Sequence, residues 1–150
     1  MKAFVAGFAV LAGLMAVTPS AAWAQMGATV AFGQQGAYRG YFVPGGEGAR
    51  LPGIVLIHEW WGLNSAMKAE ADKYAGAGYN VLAVDLFGKV ATTPEEARKQ
   101  VQELAQQAAT AHLLAAANYL RALPNSNGRV GSLGWCFGGG QSLTLAIHDP

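Results

Sequence analysis

The chain has one cysteine, Cys136, and its surroundings are unusual: Gly134-Trp135-Cys136-Phe137-Gly138, followed by Gly139 and Gly140. The block stands between an apolar β-branched stretch and a helix-like stretch. A G-x-C-x-G sequence in that context is the nucleophile-elbow pattern with Cys in place of Ser. A nucleophile on so sharp a turn needs small neighbours two residues before and after it, and glycines at 134 and 138 meet that need. The turn would aim the sulfur into a cleft at a helix N-terminus, where unpaired N–H groups favour negative charge. The Phe137 N–H would then face a developing oxyanion. The plainer alternative is a buried structural cysteine in a glycine-rich turn.

A second block, Ile57-His58-Glu59-Trp60-Trp61-Gly62, follows another apolar run. It opens like a zinc-protease H-E-x-x-H motif, but Gly62 stands where the second histidine is required. Gly138-Gly139-Gly140 is not a dinucleotide or phosphate loop, because neither G-x-G-x-x-G nor G-K-[ST] follows the first strand. With a lone cysteine, no thiolate zinc cluster or internal disulfide forms. No metal and no organic cofactor is implied.

The elements that position these blocks follow from patterning. Residues 28–32 and 38–43 read as strands joined through Gly33–Gly36. Ile54–Ile57, Val81–Val84 and Arg129–Leu133 are short apolar runs without alternation, predicting strands buried on both faces. A helix is predicted from Asn64 or Ser65 to about Ala77. Thr93-Pro94-Glu95-Glu96 starts another that reaches about Leu123, with room for a break. Gly138–Ile147 begins the last. Strand–helix alternation predicts an α/β fold, its mostly parallel sheet covered by helices on both faces. Chemistry in such sheets lies beyond the carboxyl ends of the strands, where the His58-Glu59-Trp60, Asp85-Leu86-Phe87 and Cys136 blocks fall.

Composition narrows the function classes. Of 150 residues 52% are hydrophobic, and Lys+Arg 10 nearly balance Asp+Glu 9. Disordered chains are less apolar, and nucleic-acid binders carry a basic excess. The 20 glycines show no G-x-y period, which excludes collagen. Met1-Lys2, the apolar run 3–17 and Ala22-Trp23-Ala24 have the form of a secretory signal peptide. Residues 1–24 are therefore expected to be removed before Gln25, and 25–150 to be one domain, exported to a periplasm or the exterior. No membrane association is expected after cleavage.

Three blocks in order, His58-Glu59-Trp60-Trp61-Gly62-Leu63-Asn64, Ala83-Val84-Asp85-Leu86-Phe87-Gly88 and Gly131-Ser132-Leu133-Gly134-Trp135-Cys136-Phe137-Gly138-Gly139, resemble the dienelactone hydrolase family. The resemblance runs from about Tyr38 to Ile147 and implies an α/β-hydrolase fold. It implies a carboxylic ester hydrolase with Cys136 as the nucleophile of a Cys-His-Asp triad, acting on a small ester or lactone. It further implies that Glu59 contacts the resting thiol and that the N–H groups of Trp60 and Phe137 form an oxyanion hole. A carboxylate beside the thiol opposes its ionisation and protects it from oxidation. Trp61 and Trp135 are candidate substrate-binding residues, and Trp60, Phe87 and Phe137 candidate cleft walls. No oligomeric state is implied.

The triad Asp and His of this fold follow later strands, so both are expected beyond the end of this chain, with the C-terminal strands missing and Arg129–Leu133 left as an exposed edge. His148 and Asp149 lie a helix length, about 15 Å, from the thiol. Alternation turns His58 away from the cleft if its strand persists, and His112 reads as an ordinary helix residue. Arg98, in Glu95-Glu96-Ala97-Arg98-Lys99, reads as a solvated helix face rather than a substrate grip. The alternative function is a non-catalytic or truncated α/β-hydrolase-like binding protein with a vestigial cysteine.

Overall fold

The computed structural model describes residues 26–46 and 50–149. The expected signal peptide lies outside the described residues. Five strands, β1 (Ala28–Phe32), β2 (Tyr38–Val43), β3 (Leu51–Ile57), β4 (Asn80–Val84) and β5 (Ser126–Gly134), form one sheet in the order β1-β2-β4-β3-β5. Strands β4, β3 and β5 run parallel, and β1 and β2 are antiparallel to their neighbours. The sheet is therefore mixed, with the expected parallel portion formed by the last three strands of the order, β4, β3 and β5.

Alternation within the apolar runs sends side chains to two cores. Val55, Ile57, Leu82 and Val84 meet Leu113, Ala116, Ala117 and Leu120 of α3 (Gln106–Arg121) and Leu145 of α4 (Phe137–His148) on one face. Leu56, Val81 and Ala83 meet Met67, Ala71 and Ala75 of α1 (Ser65–Gly76) on the other. A central strand loaded on both faces cannot alternate polar and apolar residues, so β3 and β4 read as continuous hydrophobic runs.

Local signals set the helix boundaries. Asn64 caps α1 by accepting from the Met67 N–H at 3.0 Å. Thr93 caps α2 (Pro94–Glu103), whose first turn carries Pro94, Glu95 and Glu96. The long helical stretch does break, at Leu104 and Ala105, both extended. Neither is a breaker by type; α2 docks its Gln100 on the loop after β3 while α3 packs on the sheet.

Strand β5 differs from its sequence reading. It starts at Ser126, inside the expected turn, and its register with β3 shifts between Leu51 and Gly53, where Pro52 has no N–H to give the ladder. It is not buried on both faces within the described residues. It pairs only with β3 there, and Arg129 and Gly131 are exposed. The edge expectation describes it better.

His112 is buried in α3, Nε2 lies 3.2 Å from the Arg39 carbonyl oxygen, and the ring stacks on Tyr38 at 4.5 Å. Burial lowers its pKa from 6.5 to about 4. The unfolded chain therefore binds the extra proton over that interval, and stability falls as pH drops from about 6.5 towards 4. The loss is of order 3 kcal/mol. A pH series of melting temperatures on the protein and on His112→Phe checks this: the slope should flatten in the variant, and an equal slope in both contradicts it.

Candidate active site

Strands β3, β4 and β5 end level with one another. Ile57 is in register with Val84 of β4 and Gly134 of β5. Glu59 and Cys136 thus each stand two residues past paired positions on adjacent parallel strands. Asp85, Leu86 and Phe87 follow β4 at the same end.

Cys136 sits at the junction of β5 and α4 with φ +52° and ψ −118°. Gln35 is the other described non-glycine residue at positive φ. A side chain there is strained by of order 1–3 kcal/mol, and its neighbours leave no freedom to relax it. A Cβ on Gly134 would lie 2.5 Å from the Gly138 carbonyl, and one on Gly138 would lie 2.4 Å from the Ile57 oxygen and 2.7 Å from the His58 oxygen. The two glycines let the first turn of α4 fold tightly over β5 and the end of β3. The turn is closed by Gly138 N–H to Trp135 O, 2.8 Å, and Gly139 N–H to Cys136 O, 3.1 Å. Cys136 is exposed; a buried structural thiol is not what the turn presents.

The loop after β3 is held at three successive carbonyls. The Glu59 oxygen accepts from His58 Nδ1–H at 2.6 Å and from Gly62 N–H at 3.2 Å. The Trp60 oxygen accepts from Gln100 Nε2 at 2.6 Å. The Trp61 oxygen accepts from Ala91 N–H at 2.9 Å. By contrast, among the described residues no hydrogen bond uses the N–H of Trp60 or of Phe137.

His58 is fully buried. The strand stops at Ile57, and the ring enters the space between the ends of β3, β4 and α4 instead of facing an open cleft. Its Nε2 accepts from Leu86 N–H at 3.2 Å, so its two partners select the neutral Nδ1–H tautomer. Burial pushes its pKa down. The ring stacks on Phe137 at 6.0 Å and tilts against Phe87 at 4.8 Å, with Phe87 and Phe137 at 5.1 Å. Phe87 and Phe137 therefore pack around His58. Trp60 and Trp61 meet edge to face at 5.1 Å, and Trp135 is 41% exposed.

The other histidines are engaged elsewhere. His148 Nδ1 bonds the Thr144 carbonyl at the far end of α4, and Asp149 pairs with Arg121 at 2.6 Å. Arg98 is exposed on α2. Glu59 is half-buried, and no described hydrogen bond joins its carboxylate to Cys136. Gln100 is the residue that sequence reading missed. It is 4% exposed, and its Oε1 has no partner, an arrangement that costs roughly 1–3 kcal/mol. The sequence offered only a polar residue in an amphipathic helix, which is no signal. Among the described residues no cluster of metal-ligating side chains is present, and no helix is long and apolar enough to cross a membrane. A depression of about 540 Å³ beside Tyr38 and Leu114 lies away from these loops.

A strained strand-to-helix turn at the carboxyl end of a parallel sheet segment, with the unbonded Phe137 N–H next to it, defines an α/β-hydrolase-type protein. The dienelactone hydrolase family model matches residues 39–150, and the chain belongs to that family. It is 33% identical over 134 residues to Protein usf of Aquifex pyrophilus, covering 83% of this chain and 57% of that protein. It is 32% identical over 108 residues to a carboxymethylenebutenolidase of Pseudomonas putida, covering 65% and 46%. Among solved structures, m3DLH superposes with TM-score 0.72 at 29% identity, covering 81% of this chain and 54% of that one. The dienelactone hydrolase-like promiscuous phosphotriesterase P91 from metagenomic libraries superposes with TM-score 0.67 at 28% identity, with the same coverage. The chain spans about half the length of the curated relatives it matches.

Proposed function

We propose that the whole protein hydrolyses a small carboxylic ester or lactone through covalent catalysis by Cys136. The observation that carries this reading is the strained, exposed cysteine on its glycine-flanked turn, at the same end of the sheet as the loop that carries Trp60. Sulfur attacks the carbonyl carbon and a C–S bond forms. The oxyanion is held by the N–H groups of Trp60 and Phe137, and on collapse the C–O bond breaks and the leaving oxygen takes a proton. Water then attacks the thioester, releasing the acid and restoring the thiol.

The imidazole that gives and takes these protons is none of His58, His112 and His148, each bonded elsewhere. We place it, with its Asp partner, in sequence following residue 150. Glu59 serves as the carboxylate bordering the thiol, and Trp61 and Trp135 as walls for the substrate. The names of relatives support a lactone or ester: one is a carboxymethylenebutenolidase.

The test is turnover of 4-nitrophenyl acetate and of a small unsaturated lactone by the whole protein, prepared by export. Hydrolysis with a burst of one nitrophenolate per chain is expected. An inert protein contradicts the reading. Export predicts a mature N-terminus at Gln25, and material still beginning at Met1 sinks that part.

A further inference from the structure

We propose that His58 and Gln100 are positioning residues, a two-sided clamp that sets the direction of the Trp60 N–H and so forms half of the oxyanion site. This rests on the covalent reading above and extends it to residues that touch neither the thiol nor the substrate.

The argument starts from peptide geometry. In a trans peptide the C=O and N–H point in opposite directions. His58 Nδ1–H and Gly62 N–H hold the Glu59 carbonyl, which turns the N–H of the same peptide, that of Trp60, the other way. The next peptide is held by Gln100 through the Trp60 carbonyl at 2.6 Å. With both flanking peptide planes fixed, φ and ψ of Trp60 are fixed, and so is the line along which its N–H points. His58 is itself anchored by Leu86 N–H from the end of β4 and by the Phe137 ring. The ring thus bonds the carbonyl of the peptide that carries the Trp60 N–H and stacks on the Phe137 side chain.

Gln100 carries independent weight. A buried glutamine whose Oε1 has no partner carries a desolvation cost that an apolar side chain would not. Its one strong bond goes to the Trp60 carbonyl. A side chain that only filled this space would be apolar; one that directs the Trp60 peptide needs the amide.

This difference makes the clamp separable from general folding. Acylation by 4-nitrophenyl acetate develops an oxyanion, whereas alkylation of Cys136 by iodoacetamide is a displacement at a saturated carbon and develops none. Both rates are to be measured on the whole protein, with melting temperature, for the parent, Gln100→Met, His58→Phe and Cys136→Ala. Gln100→Met loses both the unpaired Oε1 and the donor to the Trp60 carbonyl, so it should melt within a few degrees of the parent, alkylate at the parent rate and acylate about 10-fold more slowly or worse. His58→Phe keeps the stacking and should lose about 100-fold in acylation with alkylation unchanged. If His58→Phe does not melt cooperatively, Gln100→Met decides alone. Gln100→Met acylating at the parent rate, or losing alkylation and acylation in equal measure, overturns the clamp. Hydrolysis that survives in Cys136→Ala overturns the covalent reading beneath it; an inert Cys136→Ala beside a fully active Gln100→Met overturns the clamp alone.

Discussion

Replacing Cys136 with alanine is expected to lower ester turnover by the whole protein at least about 10³-fold, with little change in stability. The side chain is exposed and makes no hydrogen bond in the structure, so its removal leaves no cavity and no orphaned partner. Alanine keeps a Cβ at φ +52°, and the turn therefore bears the same strain as before. Loss of rate without loss of folding is the signature of a reacting atom rather than a packing atom. Cys136→Ser should recover little, since a hydroxyl needs stronger base activation than a thiol. Steady-state kinetics and thermal melts on the same preparations check this. Turnover within a few-fold of the parent in Cys136→Ala would remove the thiol from the chemistry.

Gly138→Ala is expected to be strongly damaging to both stability and rate. The added Cβ would lie 2.4 Å from the Ile57 oxygen and 2.7 Å from the His58 oxygen. Both contacts are backbone, in the strand end that carries the His58-Glu59-Trp60 loop, so no side chain can rotate away. The start of α4 must lift off β3, at a cost of about 1–3 kcal/mol or more. That movement shifts the Phe137 N–H against the Trp60 N–H, and a displacement of about 1 Å can cost 100-fold in rate. Gly140→Ala, two residues further along α4 with nothing within 4 Å of the new methyl, is the control. It should be neutral or stabilising by about 0.4–1 kcal/mol. Melting temperature and turnover of the pair provide the measurement; equal behaviour of the two variants contradicts the tight crossing of α4 over β3.

Gly134 and Gly138 also show why part of the site was legible in the sequence. A nucleophile turn constrains residue types locally: small at 134 and 138, a strand before, a helix after. Local constraints of that kind survive as a spacing pattern. The strand runs at 54–57 and 81–84 were equally legible, because a strand loaded on both faces leaves no polar position in its sequence. The limits of β5 were not. Its start at Ser126 depends on pairing with β3 across the Pro52 irregularity, and pairing is not written in either strand alone. His58 was legible as a residue but not as a connection. Its bonds join Glu59 and Leu86, and that closure exists only once β3 and β4 are side by side. Gln100 was invisible for the same reason, being 40 residues from the carbonyl it holds.

The most direct measurement is the mass of the protein during turnover. The whole protein is mixed with excess 4-nitrophenyl acetate, quenched in acid within the burst and digested. The expected result is one added acetyl group on the peptide containing Cys136, removed by hydroxylamine and absent from Cys136→Ala. Steady hydrolysis with no acyl group on Cys136, or with the acyl group on another side chain, would contradict covalent catalysis at this turn.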